Sequence, residues 1–194
     1  MHSNLVIGYG NLDRMDDGIA FYVINKLRNR LGQKPVYTYS TEPAALGAQL
    51  DSIFVRQLVP ELASRAICYD CLVFLDAHVQ IDKKDIMFDR LSLENVSSPF
   101  THFLQPSEFL SLIKLLGDRE PAAFLLSLKG HRFDFGRGLS METRKLINSA
   151  VDIIFRLFFE KPYPSSSFFD RLSSPVNSEM QSKGEHTWPL KSKR

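Results

Sequence analysis

A short apolar run near the start of the chain leads through two glycines and a cluster of carboxylates into a segment of helical periodicity. The run Leu5–Ile7 is uninterrupted and contains β-branched residues, which is typical of a strand buried on both faces of a parallel sheet. Gly8 and Gly10 permit backbone conformations or close approaches that a Cβ atom would block. The stretch therefore predicts a strand, a tight loop and a helix, with polar side chains at the carboxyl end of the strand.

The loop carries more carboxylates than one helix cap requires. Asp16 or Asp17 is a natural N-cap, because a helix N-terminus presents free N–H groups and the positive end of the helix dipole. Asp13 lies close by, together with Asn11 and Arg14. A polar turn with a cap explains part of this cluster, whereas a metal or proton-transfer site at the strand end would use its negative charge. On these residues alone both interpretations stay open.

Two further motifs give weaker evidence for a function. Gly8 and Gly10 resemble the start of a Gly-x-Gly-x-x-Gly dinucleotide turn, but Asp13 replaces the third glycine and the carboxylates would repel a pyrophosphate. Cys68 and Cys71 form a single Cys-x-x-Cys, and a tetrahedral structural zinc needs four ligands. Neither nucleotide binding nor a structural zinc is favoured, and the cysteines are interpreted as small residues leading into a buried strand.

The composition favours one globular domain and gives no electrostatic indication of a charged partner. With 194 residues, of which 44% are apolar, the chain can bury a full core. The 24 basic and 22 acidic residues give a net charge of +2, which supplies no electrostatic argument for nucleic acid or an anionic membrane as partner. Neither a membrane-spanning run nor a signal peptide is recognisable, so we expect a cytoplasmic protein.

The remaining chain alternates apolar runs of strand length with segments of helical periodicity. Strands are predicted at 52–58, 72–75, 86–93 (an outer strand) and 122–128, with a possible short strand at 36–39. Helices are predicted at 20–31, 60–65, 106–116 and from an N-cap at Ser140 to about 159, with a helical turn near 44–48. This order predicts a three-layer α/β/α sandwich around a mainly parallel, about five-stranded twisted sheet. Residues 1–160 form this domain, and the Pro-, Ser- and Lys-rich segment 161–194 is predicted to be a disordered tail.

Two other residues could carry chemistry, one at the end of a predicted strand and one just before a predicted helix. Asp76 ends the apolar run at 72–75, and a carboxylate buried there needs a partner or a role. His102 lies on a loop just before the helix that begins at Pro106. Right-handed crossovers would bring Asp17 and Asp76 to one edge of the sheet, where His102 could join them. The plainer alternatives are a hydrogen-bonded loop aspartate and an exposed, inert histidine.

Five segments together resemble the hydrogenase maturation proteases, the endopeptidases that trim the large subunit of [NiFe] hydrogenases. The opening motif of that family is matched by Gly8-Tyr9-Gly10-Asn11 followed by Arg14-Met15-Asp16-Asp17-Gly18. The resemblance spans roughly residues 4–159 and continues, in order, through Gln57–Leu62, Val73–Ala77, Thr101–Pro106 and Phe133–Ser140.

The resemblance implies a site, an activity and a partner. The two acidic metal-contacting positions of the family fall on Asp17 and Asp76, and its metal-contacting histidine falls on His102. Family members remove a C-terminal peptide from the hydrogenase large-subunit precursor after nickel insertion and use that nickel as the recognition element. We therefore expect a monomeric endopeptidase that uses no organic cofactor and meets nickel on its substrate. The alternative is a non-catalytic maturation factor that binds the nickel-loaded precursor.

The chain also departs from the family pattern. Arg137 and His131 occupy positions where acidic residues are expected, so the glycine-rich loop before the last helix is more basic than usual. The segment 33–50 is longer than its counterparts, and Ala20 replaces a glycine.

Overall fold

The core of the protein is one mixed sheet, seen in a computed structural model that describes residues 3–40, 42–47, 50–79, 83–93 and 104–159. Within these residues six strands pair in the order β2-β3-β1-β4-β6-β5. The strands are β1 (Asn4–Tyr9), β2 (Ala44–Gly47), β3 (Leu50–Val55), β4 (Cys71–His78), β5 (Ile86–Leu91) and β6 (Ala122–Lys129). The four inner strands are parallel to one another, and β2 and β5 add antiparallel edges. The predicted α/β class with a mainly parallel sheet is confirmed.

Helices cover both faces of the sheet, as the uninterrupted apolar runs predicted. The helices are α1 (Ile19–Arg30), α2 (Pro60–Ala66), α3 (Pro106–Gly117) and α4 (Met141–Phe159). Side chains alternate between faces along each strand, so Val6 and Val73 pack in the α1 and α4 layer, whereas Ile7 and Phe74 pack in the α2 and α3 layer. Both layers exclude solvent, because these four side chains are 0% exposed. The inner strands are therefore buried on both faces, which accounts for their continuous apolar sequence.

The segment between α1 and β3 differs from the prediction. Residues 36–39 form no strand, and the predicted helical turn at 44–48 is wrong, because Ala44–Gly47 is strand β2. Alanine and glycine, which make up three of these four residues, do not favour strands, but the open edge of β3 supplies the segment with backbone partners. The sheet consequently has six strands among the described residues instead of about five. The strand predicted at 52–58 is shifted to Leu50–Val55.

A buried cation joins α1 to the same region. Arg28 is 6% exposed, and burial lowers the pKa of its guanidinium. It donates hydrogen bonds to the Lys34 carbonyl at 2.5 Å and to the Ser52 hydroxyl at 3.2 Å. We expect Arg28→Ala to lower the free energy of unfolding by about 3 kcal/mol, because two acceptors and an apolar stem lose their partners.

Urea denaturation of Arg28→Ala beside Arg30→Ala measures this effect. Arg30 belongs to the same helix but makes an exposed ion pair with Asp152 and lies 3.9 Å from the centre of the Phe155 ring. Its loss should cost about 1 kcal/mol or less. Equal destabilisation by the two variants would contradict the structural role assigned to Arg28.

The remaining sequence predictions concern the cysteines, membranes and the tail. Cys68 is exposed, Cys71 is buried at the start of β4, and both are free thiols, in agreement with their interpretation as strand-leading residues. The described helices include none with the length and apolarity needed to span a bilayer. The predicted disordered tail, 161–194, lies outside the described residues.

Candidate functional site

The turn after β1 places Asp17 at the carboxyl end of the parallel strands. A short 3-10 helix, Met15–Gly18, follows the strand and leads directly into α1. Its Asp17 carboxylate accepts a hydrogen bond of 2.8 Å from the Asn11 amide, which closes the turn on itself. The N-cap of α1 is Gly18 and no side chain caps it, so the prediction that Asp16 or Asp17 caps this helix is wrong. Asp16 and Asp17 lie within the 3-10 helix, before this N-cap, and neither side chain bonds to an N–H group at the start of α1.

Both glycines of the turn have close neighbours, the backbone in one case and helix side chains in the other. A Cβ atom on Gly10, whose φ is +144°, would lie 2.0 Å from the carbonyl oxygen of Asp17. A Cβ atom on Gly8 would lie 2.7 Å from the Ile24 side chain in α1. The spacing of these glycines therefore serves the tight path from strand to helix, with Asp17 held against the strand end.

Asp76 lies on the neighbouring strand β4, near the same edge of the sheet. Its carboxylate accepts a hydrogen bond of 2.7 Å from the Ala77 amide. Burial raises the pKa of Asp76 to about 6, and the negative charge of Asp17 adds to this rise. Hydrogen bonds from Ala77 and Tyr9 stabilise the ionised carboxylate and act in the opposite direction, but they do not outweigh burial. Burial and the nearby Asp76 keep the pKa of Tyr9 well above its usual range, so its hydroxyl remains a donor to Asp76. Asp17 and Asp76 thus sit within electrostatic range of each other.

Asp16 anchors this turn to a distant loop. It is 0% exposed and accepts hydrogen bonds from the amides of His131, Arg132 and Ser140 at 2.9, 2.8 and 2.7 Å. The hydroxyls of Ser140 and Thr143 donate to the same carboxylate at 2.7 and 2.9 Å. Burial acts to raise the pKa of Asp16, but these donors outweigh it and lower the pKa to about 2. Asp16 therefore holds the glycine-rich loop and the start of α4 against the turn that carries Asp17.

Backbone hydrogen bonds strengthen the same connection. Met15 donates to the Gly136 carbonyl at 2.9 Å, and Gly136 donates to the Asp13 carbonyl at 3.0 Å, which forms a parallel bridge between Arg14 and Gly136. On the other side of the turn, the Leu12 amide donates to the Tyr39 hydroxyl at 3.0 Å. The Asp17 turn is therefore fixed by contacts on two sides.

Ser140 has the role that the sequence predicted. Its hydroxyl accepts a hydrogen bond of 3.3 Å from the Thr143 amide, which is the geometry of an N-cap at the start of α4. The additional bonds from Ser140 to Asp16 were not anticipated, because the residues are separated by 124 positions and no local pattern links them.

His102 lies outside the described residues, so its place in the site remains a prediction. The helix that follows it can be located. Phe109, in the first part of α3, packs edge-to-face on Phe74 with ring centroids 5.7 Å apart. Phe74 precedes Asp76 by two residues and shares its face of β4. The start of α3 therefore lies on the Asp76 side of the sheet.

The carboxylate pair offers oxygen ligands to a metal. Asp17 and Asp76 alone are too few to saturate nickel, which accepts carboxylate and imidazole ligands together. The part of the chain that the structure describes contains no cluster of three or more His, Cys, Asp or Glu side chains placed to hold one ion. A metal bound by these two aspartates would therefore need ligands from His102, from a substrate, or from both.

Solved structures with a similar fold include several proteases of hydrogenase maturation. The chain is 19% identical to the hydrogenase maturating endopeptidase HybD from E. coli, with a TM-score of 0.59 over 79% of this chain and 90% of that one. It is 18% identical to the [NiFe] hydrogenase maturation protease HybD from Thermococcus kodakarensis, with a TM-score of 0.58 over 80% of this chain and 98% of that one. It is 15% identical to the [NiFe] hydrogenase maturation protease HycI from the same organism, with a TM-score of 0.57 over 81% of this chain and 93% of that one.

No family model matches the chain, and no curated protein matches it. At the identities found, the structural likeness establishes the fold, which spans nearly the whole length of those proteases. The chain therefore has the fold of the hydrogenase maturation proteases, with Asp17 and Asp76 at the carboxyl edge of its sheet.

Proposed function

We propose that the protein is an endopeptidase that removes a C-terminal peptide from the precursor of a [NiFe] hydrogenase large subunit after nickel insertion. One observation carries the proposal: two neighbouring parallel strands bring Asp17 and Asp76 to one sheet edge, in a fold shared with hydrogenase maturation endopeptidases. Ligands in open α/β sheets bind at this edge.

The nickel belongs to the substrate in this proposal. Asp17, Asp76 and His102 supply two carboxylates and an imidazole, which leaves coordination positions for groups of the precursor. The Asp17 carboxylate accepts a hydrogen bond from the Asn11 amide, and the Asp76 carboxylate accepts one from the Ala77 amide. Both carboxylates are therefore oriented as metal ligands before the substrate arrives. A carboxylate beside the scissile bond can also accept a proton from attacking water.

We expect Asp17→Asn, Asp76→Asn and His102→Ala each to abolish cleavage, because each removes a carboxylate charge or the imidazole from a small set of ligands. The measurement is the intact mass of a nickel-loaded large-subunit precursor from the same organism after incubation with each variant. Thermal unfolding should show that all three variants fold. Asp152→Asn is the matched control, because this exposed carboxylate lies on α4 and pairs with Arg30.

Three outcomes separate the candidate functions. Loss of a C-terminal peptide from the nickel-loaded precursor, but not from a nickel-free one, supports a protease that uses nickel for recognition. An uncut precursor that co-elutes with the protein supports the non-catalytic maturation factor instead. Normal cleavage by all three variants removes these residues from the mechanism.

A further inference from the structure

An aromatic side chain projects into solvent beside the candidate site. Phe135 is 87% exposed, although the loop that carries it is tied down on both sides. The preceding residues are held by Asp16, and the following Gly136 donates to and accepts from the turn of residues 13–15. The backbone around Phe135 is therefore ordered before any partner arrives, which reduces the entropy that a partner would have to overcome on binding.

Phe135 is also directly connected to the residues around Asp17. The Arg14 guanidinium lies 5.5 Å from the centre of the Phe135 ring, within cation–π range. The carbonyl of Arg14 accepts a hydrogen bond of 3.1 Å from the Asp17 amide. One residue therefore contacts both the exposed ring and the backbone of the candidate ligand, which places Phe135 beside the turn that carries Asp17.

Four charged side chains near the ring are paired with one another, and the Arg14 guanidinium lies over the ring itself. Arg137 pairs with Asp13 at 2.8 Å, and Arg132 pairs with Asp134 at 3.3 Å. These four charges are compensated within the surface itself, so the basic character expected from Arg137 is largely neutralised. What the surface offers is a fixed aromatic ring, the kind of side chain that dominates binding at protein interfaces.

We propose that Phe135, backed by Arg14, is the docking point for an apolar side chain in the extended C-terminal segment of the hydrogenase precursor. The inference rests on the proposed function for the identity of the peptide. It goes further by assigning substrate recognition to a residue outside the ligand set, on the loop that precedes α4.

The test is the binding of a fluorescently labelled, nickel-free peptide that spans the C-terminal segment of the precursor, followed by anisotropy. We expect Phe135→Ala to raise Kd about tenfold and Phe135→Leu to raise it less, because leucine keeps an apolar surface. Leu115→Ala is the matched control. Leu115 is 80% exposed in the last turn of α3, which ends shortly before β6 begins and thus lies at the opposite edge of the sheet.

The outcomes distinguish this inference from the proposed function. Unchanged affinity in Phe135→Ala, or no binding by the wild-type protein, overturns the docking role even where the nickel-loaded precursor is cleaved. Equal weakening by Phe135→Ala and Leu115→Ala also overturns it. Weaker binding in Phe135→Ala alone supports the docking role, and it does so whether or not the wild-type protein cuts the precursor.

Discussion

Asp16→Asn should lower the free energy of unfolding by at least about 3 kcal/mol. The carboxylate of Asp16 is fully buried and accepts three amide and two hydroxyl hydrogen bonds. An asparagine side chain replaces one accepting oxygen with an NH2 group, which would face N–H donors. Buried donors on the loop and at the start of α4 would then lack acceptors.

Urea denaturation at neutral pH measures this effect, with Asp13→Asn as the control. Asp13 belongs to the same turn, but its carboxylate is 55% exposed and pairs with an exposed arginine, so its loss should cost less than about 1 kcal/mol. A cost for Asp16→Asn as small as that for Asp13→Asn would show that Asp16 does not hold the loop.

The pH dependence of the same variant provides a second check. The pKa of Asp16 is lowered from 3.8 to about 2 by its hydrogen bonds. A lowered pKa stabilises the folded state above the unfolded value of 3.8, and this contribution is lost as the pH falls towards 2. The wild-type protein should therefore lose stability over this acid range more steeply than Asp16→Asn.

Asp76→Asn should have the opposite effect and stabilise the protein near neutral pH. The pKa of Asp76 is raised from 3.8 to about 6, chiefly by burial, so its ionised form opposes folding. At roughly 1.4 kcal/mol for each pH unit, the difference corresponds to about 3 kcal/mol. Asparagine is uncharged and can still accept the hydrogen bond from the Ala77 amide.

The sign of this effect can be tested by thermal or urea unfolding across pH. A raised pKa in the folded state costs stability above pH 6 and costs nothing below the unfolded value of 3.8. The stability advantage of Asp76→Asn should therefore be full above about pH 6 and should disappear below about pH 4. A destabilised Asp76→Asn at neutral pH would contradict this account. A stabilised but inactive variant would mean that the site is maintained at a cost to the fold.

The inner strands could be predicted because their burial on both faces leaves a continuous apolar run such as Leu5–Ile7. The edge strand β2 could not, because it is rich in alanine and glycine, which do not favour strands, and its pairing is decided by the open edge of β3. The same distinction holds within the site. Asp17 follows a buried strand and Asp76 ends the apolar run of another, and both positions are local signals.

The role of Asp16 left no comparable local signal. Its donors lie 115 to 127 positions away in sequence, and only the fold brings them together. The exposed position of Phe135 was equally hidden, because an aromatic residue in a glycine-rich loop is as compatible with burial as with exposure. Its exposure depends on how the loop bridges to the turn of residues 13–15.

The bonds of Asp16 also set the order in which the protein can be completed during synthesis. Among the described residues, every donor that holds its carboxylate belongs to the range 131–143, which follows β6 and its last residue, Lys129. A nascent chain that has emerged only as far as β6 contains the six described strands but none of these donors. The turn that carries Asp17 thus gains its full set of hydrogen bonds only when the loop after β6 and the start of α4 have emerged, so the strands leave the ribosome before the residues that fix this turn.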